Sequence, residues 1–390
     1  MLYVGIDVSK EKHDCHIMNS EGEILCDNFS FENSRSGFNS FLKLLKNCNG
    51  NELTDIKVGL ESTGHYSDNL IGFLKQSKLY VSIFNPLQIT LSRKAKTLRK
   101  TKTDKCDARF ICRKLVEDAP APYLPKEYHI SELKTLSRFR VRLINDLSKQ
   151  KTLLVRLVDI IFPELNKLFC KIHLKSVYAM LAELPSAKAI AKCHLTKLTN
   201  ILSGNSRGRY SKAKAMEIRE CARNSIGSQS LSLSFELQET IDNINFLQTK
   251  IDRVDSEIKT IMDKIDSPIL SILGISYTLG AMIISEIGNI NNFDSPAKLL
   301  AFAGCEPSKF QSGKYNADHT AMVKRGSKYL RYALFSAARM VSINCDVFAD
   351  YLAKKRAENK HYFVALSHTV RKLVRVIFHL LTTNTTFVAI

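Results

Sequence analysis

The chain has no apolar run approaching the roughly 20 residues that a membrane-spanning helix needs, so nothing in its 390 residues asks for a bilayer. A signal peptide would need an uncharged apolar stretch near the start, and Asp7 interrupts it. Together these absences predict a soluble cytoplasmic protein. The ten cysteines (Cys15, Cys26, Cys48, Cys106, Cys112, Cys170, Cys193, Cys221, Cys305 and Cys345) include no CxxC and no paired CxxC and HxxxH spacing. That excludes the common zinc modules and leaves small buried hydrophobes of a reducing compartment, Cys15 beside His16 included. Acid is scarce too: 38 Asp and Glu against 57 Lys and Arg give a formal +19. Such an imbalance is the footprint of a protein that meets a polyanion. No amphipathic basic helix stands alone at a terminus, which favours nucleic acid over a membrane surface.

The length predicts two or three domains. Residues 2–8, 13–18 and 23–30 read as short strands, the last two joined by the turn Asn19-Ser20-Glu21-Gly22. An amphipathic helix carrying Phe38, Phe41, Leu42 and Leu45 follows, then strand 56–61, helix 66–76 and strand 79–84. An antiparallel meander continued by alternating helices and strands is the order of a ribonuclease H-like α/β domain, about 1–120. The prolines of 119–125 end it. Leucine and isoleucine heptads over 130–162 and 235–266 predict a long antiparallel coiled-coil hairpin within 128–266, with a polar helical insert at about 170–230. The insert, with GNSRGRYSKAKAMEIRE, reads equally as a nucleic-acid contact or as a solvated lobe. The rest, 267–390, reads as a mostly α-helical domain that begins with a helix-hairpin-helix-like segment punctuated by Gly274, Gly280 and Gly288.

Four acids stand out: Asp7 in YVGIDVSK, Glu61 in VGLEST, and Asp104 and Asp107 in KTDKCDAR. Asp7 lies on the first strand and Glu61 ends a strand expected beside it. With Thr103 as N-cap of a helix to about Glu117, the i, i+3 spacing sets Asp104 and Asp107 on one helical face. Around them lie Arg93, Lys94, Lys96, Arg99, Lys100, Lys102, Lys105 and Arg109. Phosphodiester chemistry needs charge to offset a pentavalent phosphorane, and two Mg²⁺ (or Mn²⁺) ions about 3.5 to 4 Å apart on hard oxygen ligands provide it. Any one acid is an ordinary surface group; the set, in this fold order and inside a basic stretch, points to a metal site. His65 and Tyr66 could orient a phosphate or simply pack.

GIDVSK, ESTGHY, FNP (Phe84 to Pro86), KTDKCDA, LGIS, AFAGCEPSKFQSG and KRGSKYLR resemble, in order and spacing over essentially the whole chain, the DEDD insertion-sequence transposases with a RuvC-like domain, known as bridge-RNA-guided recombinases. The resemblance implies that Asp7, Glu61, Asp104 and Asp107 are the metal ligands. Ser312 of FQSG would be the nucleophile that takes the DNA strand as a phosphoserine. It also implies a structured guide (bridge) RNA pairing with donor and target DNA, and a homo-oligomer, dimer or tetramer, in which the acids of one protomer face the serine of another. Such a protein would work on the prokaryotic nucleoid. The chain departs from the family at Leu273-Gly274-Ile275-Ser276, where Pro-Gly-Ile-Gly is common. The stretch after Ser312 is also sparser in base, leaving Lys314, Lys324, Arg325, Lys328 and Arg331 as DNA contacts.

Three rivals remain at this point. A RuvC-like junction or structure-specific nuclease would use the acids with metal-activated water and would not need Ser312. An actin-like sugar kinase would need a glycine-rich phosphate turn after Asp7, and Val8-Ser9-Lys10-Glu11 has none. A non-catalytic scaffold would use the acids only to balance charge.

Overall fold

A computed structural model describes the chain except for residues 62–64, 97–102, 119, 121–127, 309–310, 313–314, 317–320 and 390. It divides into two compact units, Met1–Pro125 and Lys126–Ile390.

The first unit is built on five strands: β1 (Leu2–Val8), β2 (Lys12–Asn19), β3 (Ile24–Glu32), β4 (Ile56–Glu61) and β5 (Tyr80–Phe84), in the order β3-β2-β1-β4-β5. The first three pair antiparallel, while β1–β4 and β4–β5 pair parallel. This is the mixed sheet and order of a ribonuclease H-like domain. Alternation along each strand assigns the faces. Leu2, Val4, Ile6 and Val8 of β1 and Ile56, Val58 and Leu60 of β4 are buried in one apolar cluster. Helices α1 (Arg35–Cys48) and α2 (Ser67–Gln76) supply Phe38, Phe41, Leu45, Leu70 and Leu74 to it. The opposite face receives α3 (Pro86–Lys96) and α4 (Asp104–Asp118), with Phe84, Ile89, Ile111 and Leu115 in a smaller cluster. Pro86 opens α3 at the position where a missing N–H costs nothing.

In the second unit α5 (Tyr128–Ile161) and α11 (Leu231–Ile265) run antiparallel, as their ion pairs Arg140–Asp255 and Arg156–Glu236 require. Leu143, Leu147, Leu154 and Leu157 of α5 and Ile244, Ile251, Val254 and Ile258 of α11 fill the seam. Between them α6 (Leu165–Leu168), α7 (Lys175–Glu183), α8 (Ala187–Lys192), α9 (Leu195–Asn205) and α10 (Lys212–Arg223) form a lobe with a core of Val177, Met180, Ile190, Leu198, Leu202 and Ile218. The remaining helices are α12 (Tyr277–Ile287), α13 (Pro296–Phe302), α14 (Lys328–Asn344), α15 (Asp346–Ala357) and α16 (Tyr362–Thr383). One continuous core runs from Leu133 to Leu380, because α12 packs against α5, α11 and α14 alike. The hairpin region and the C-terminal region are therefore one compact unit.

In the segment expected to resemble a helix-hairpin-helix, the glycines serve close packing. A Cβ on Gly274, at φ +99°, would lie 2.7 Å from the Met340 carbonyl oxygen, so α14's backbone packs directly against this turn. Gly280 abuts Leu270 inside α12, and Gly288 ends that helix at φ +73°.

Candidate active site

Two glycines bring the acids of the first unit together. Gly5 of β1 and Gly59 of β4 are partners in register, and both face α4. A Cβ on Gly5 would lie 2.2 Å from the Ala108 oxygen and 2.3 Å from the Cys112 nitrogen; on Gly59 it would touch Phe84, Ile111 and Leu115. The helix thus settles into a notch that no other residue leaves open. Cys112 meets β1 earlier still, donating its Sγ–H to the Tyr3 carbonyl at 3.2 Å. Cys112 and Ala108 therefore step along β1 from Tyr3 to Gly5, and Asp104, one turn before Ala108, falls toward Asp7. Asp7 and Glu61 each follow their glycine by two residues, so the pleat turns both to the same side. Thr103 starts α4 by accepting the Cys106 N–H at 3.3 Å, which fixes the first turn and its two acids.

Electrostatics registers the convergence. Burial pushes the Asp7 carboxyl up to about 7, and the charges of Asp107, Asp104, Glu61 and Asp14 add in that order. Asp107 is 6% exposed and accepts from Arg93 Nη1 at 2.7 Å. Asp104 is exposed and Glu61 half-buried. Among the described residues no three His, Cys, Asp or Glu side chains are drawn into a closed ligand set. The donor chemistry still suits a hard divalent cation: carboxylates near enough to act on Asp7, with a guanidinium compensating Asp107.

Sequence reasoning missed three acids. Asp14 lies opposite Asp7 on β2, is 4% exposed, accepts a hydrogen bond from Ser30 and sits 3.4 Å from Lys12 Nζ. The short β1–β2 connection gave a signal for it, since an antiparallel hairpin pairs residues symmetrically about its turn. Asp27 on β3 binds Lys105 and Arg109, each at 2.5 Å, and their hydrogen bonds pull its carboxyl down to about 2. Glu286 is the one charge in the apolar run of α12, a signal in itself.

Several expected phosphate contacts have internal partners. Lys105 and Arg109 hold Asp27, Arg93 holds Asp107, and Arg331 Nη1 donates to the carbonyls of Ala303 at 3.1 Å and Lys324 at 3.2 Å. Lys94, Lys324, Arg325 and Lys328 are exposed. Arg99, Lys100, Lys102 and Lys314 lie outside the described residues, as does the side chain of Lys96. His65 and Tyr66 pack at a tilt, their ring centroids 4.2 Å apart and their planes at 42°.

Ser312 belongs to the second unit. Its backbone, in β6 (Gln311–Ser312), pairs antiparallel with β7 (Tyr315–Asn316), Ser312 opposite Tyr315; its side chain is outside the described residues. The hairpin's stem is zipped by Ser308 N–H to Ala321 O at 2.9 Å, Val323 N–H to Glu306 O at 3.0 Å and Lys324 N–H to Gly304 O at 3.1 Å.

A mixed sheet in the order 3-2-1-4-5, with acids on β1, β4 and the helix across them, defines the DEDD class of ribonuclease H-like domains. Residues 4–163 match a transposase family model of the IS110 DEDD type, and residues 266–353 match the transposase IS116/IS110/IS902 family. The chain belongs to this IS110-type family of DEDD transposases. Among its relatives are an uncharacterized 44.8 kDa protein of insertion element IS116 from Streptomyces clavuligerus, 25% identical over 97% of this chain and 94% of that protein. The pilin gene-inverting proteins of Moraxella bovis and Moraxella lacunata are each 23% identical over 99% of this chain and 97% of their own length. No helix of the described residues is long and apolar enough to cross a membrane.

Proposed function

We propose that the protein exchanges DNA strands between an insertion element and its target through a covalent phosphoserine at Ser312. In the covalent step the Ser312 oxygen bonds to a backbone phosphorus, one ester oxygen leaves as a sugar hydroxyl, and the serine proton balances that departure. Mg²⁺ or Mn²⁺ held by Asp7, Glu61, Asp104 and Asp107 would supply charge against that accumulating on the phosphoryl oxygens. The observation that carries the reading is the shared face of those four acids, built by the repeated Val-Gly-apolar-acid of β1 and β4 against α4. The Moraxella relatives, named as inverting a pilin gene, support rearrangement rather than simple cutting.

The rest of the proposal concerns partners. The antiparallel α5 and α11 would form an intramolecular coiled coil, and protomers would associate as a dimer or tetramer in which the acids of one protomer serve the serine of another. A structured non-coding RNA chooses donor and target by base pairing, in the cytoplasm where the nucleoid lies. Phosphate contacts would come from the exposed Lys94 of the first unit and the exposed Lys324, Arg325 and Lys328 of the second, with Lys96, Arg99, Lys100, Lys102 and Lys314 as further candidates by sequence; Arg93, Lys105, Arg109 and Arg331, also expected there, are engaged by internal partners.

The test incubates the protein with supercoiled donor, target DNA, the RNA encoded beside the gene, and Mg²⁺. Recombinant junctions and a denaturant-stable protein–DNA adduct are expected from the wild type. Ser312→Ala should lose both, and Asp104→Asn or Asp107→Asn should lose cleavage while keeping RNA binding within about threefold. An adduct that survives Ser312→Ala, or cleavage without any adduct, refutes the phosphoserine and leaves a water-using nuclease.

A further inference from the structure

Among the described residues of the Ser312 hairpin, β6 and β7 contribute two residues each. Its placement depends on the base, where both arms reach the start of α14. Three observations converge there. First, Arg331 sits one turn into α14 and donates through Nη1 to Ala303 on the incoming arm and to Lys324 on the outgoing arm. It fits because Gly304, at φ +65°, has no side chain; a Cβ there would lie 2.9 Å from Arg331 Nη1. Second, the arms touch backbone to backbone at Gly326, φ +134°, where a Cβ would lie 2.1 Å from the Phe302 oxygen, and the Ser327 N–H reaches that same oxygen at 3.2 Å.

Third, the joint is fastened to the interior. Ser327 caps α14 by accepting the Leu330 N–H at 3.1 Å and also donates to Glu286 Oε2 at 2.8 Å. Glu286, 2% exposed, is gripped by Arg138 of α5 through Nε at 2.6 Å and Nη2 at 3.0 Å, with Lys134 Nζ at 3.8 Å. Arg138 in turn lies over the Tyr329 ring, 4.7 Å from its centroid. Burial alone would raise the Glu286 carboxyl, but the hydrogen bond from Arg138 and the Lys134 charge outweigh it and hold the group below its ordinary value. A carboxylate so enclosed and so fully bonded is rigid in a way a surface pair is not. Helices α5, α12 and α14 thus meet at one polar joint, from which the serine hairpin springs.

We propose that Arg331 and the Arg138–Glu286–Ser327 joint are positioning residues for Ser312. They fix both arms of its hairpin relative to the helices beneath, and Arg331 acts through backbone carbonyls rather than through DNA phosphate. The inference rests on the reading of Ser312 as nucleophile. A mispositioned nucleophile should bind DNA normally and react slowly, since the loss falls on alignment and not on affinity.

The test uses the full chain with its RNA and DNA. Arg331→Gln should slow adduct formation at saturating DNA about tenfold or more and leave the DNA dissociation constant within twofold. In the free protein, amide hydrogen exchange at Ser308, Val323 and Lys324 should quicken at least tenfold, with α5 and α11 unchanged. Arg331→Lys should recover part of the rate. Should Arg331→Gln fail to fold, Ser327→Ala carries the same test, because it cuts the tie to Glu286 and leaves the Arg331 bonds in place. Wild-type adduct rates in the variant that folds overturn the proposal. Slow adducts with unchanged exchange overturn it too, since they place Arg331 on the DNA. An adduct that persists in Ser312→Ala refutes the nucleophile reading instead, and so keeps the two failures apart.

Discussion

Asp7 carries a cost that the protein bears only when the carboxyl is ionised. Its folded value of about 7 exceeds the ordinary 3.8, so the folded state holds this proton more tightly than the unfolded chain does. Stability from that difference is full below about pH 4 and is lost as pH rises through 7. Asp7→Asn is therefore expected to stabilise the metal-free protein by about 1 to 3 kcal/mol at pH 8, with the gain vanishing toward pH 4. Urea denaturation at the two pH values measures it, and equal effects at both would contradict the burial and charge crowding described. Glu286 works in the opposite sense: its value is lowered, so its contribution is present at neutral pH and fades as pH falls below about 4.5. Replacing Arg138 with Met leaves Glu286 buried without its main partner, and a loss of about 3 kcal/mol is expected at pH 7, shrinking on acidification as the carboxyl takes up a proton.

At the level of elements, the decisive contact is that of α4 on β1 and β4. Gly5→Ala drives a methyl into the Ala108 oxygen and the Cys112 nitrogen, both backbone atoms that cannot step aside. A loss of at least about 3 kcal/mol is expected, together with loss of activity. Gly72→Ala offers the contrast: it lies within α2 with nothing near its would-be Cβ, and a gain of about 0.5 to 1 kcal/mol is expected from helix propensity. Thermal melts of the two variants decide it, and comparable shifts would remove the notch argument. The strands and the first turn of α4 were legible because period-two and period-3.6 patterns and the Thr103 cap are local signals. The notch was less so. Val4-Gly5-Ile6-Asp7 and Val58-Gly59-Leu60-Glu61 repeat one pattern, yet its meaning depends on pairing in register, which no local signal states. The partners of Arg93, Lys105, Arg109 and Arg331 were illegible for a similar reason. A basic residue looks alike in sequence whether it faces a phosphate or an acid brought from 82 positions away, as Asp27 is to Arg109. The packing of the Gly274 turn was likewise illegible, because its neighbour Met340 comes from a distant helix.

For the whole molecule, the net +19 overstates the charge available to nucleic acid, since several of those cations are tied internally. DNA affinity should still fall at least about 100-fold between 50 and 200 mM salt, through counterion release. Lys94→Ala and Lys328→Ala, at exposed positions, should each reduce the log–log salt slope by about one, while Arg331→Gln leaves it unchanged. Filter binding across a salt series distinguishes them, and a flat response would exclude a basic phosphate-binding surface. The helix α5, 34 residues and about 51 Å long, ends at the insert lobe and holds Arg138 about 15 Å from its start. It is in effect a lever. Arg156, which faces Glu236 toward the insert, lies about 27 Å along the axis from Arg138, so a tilt of 5° pivoting there sweeps Arg138 through about 2 Å. A tilt of α5 imposed at the insert would therefore reach the joint from which the serine hairpin springs.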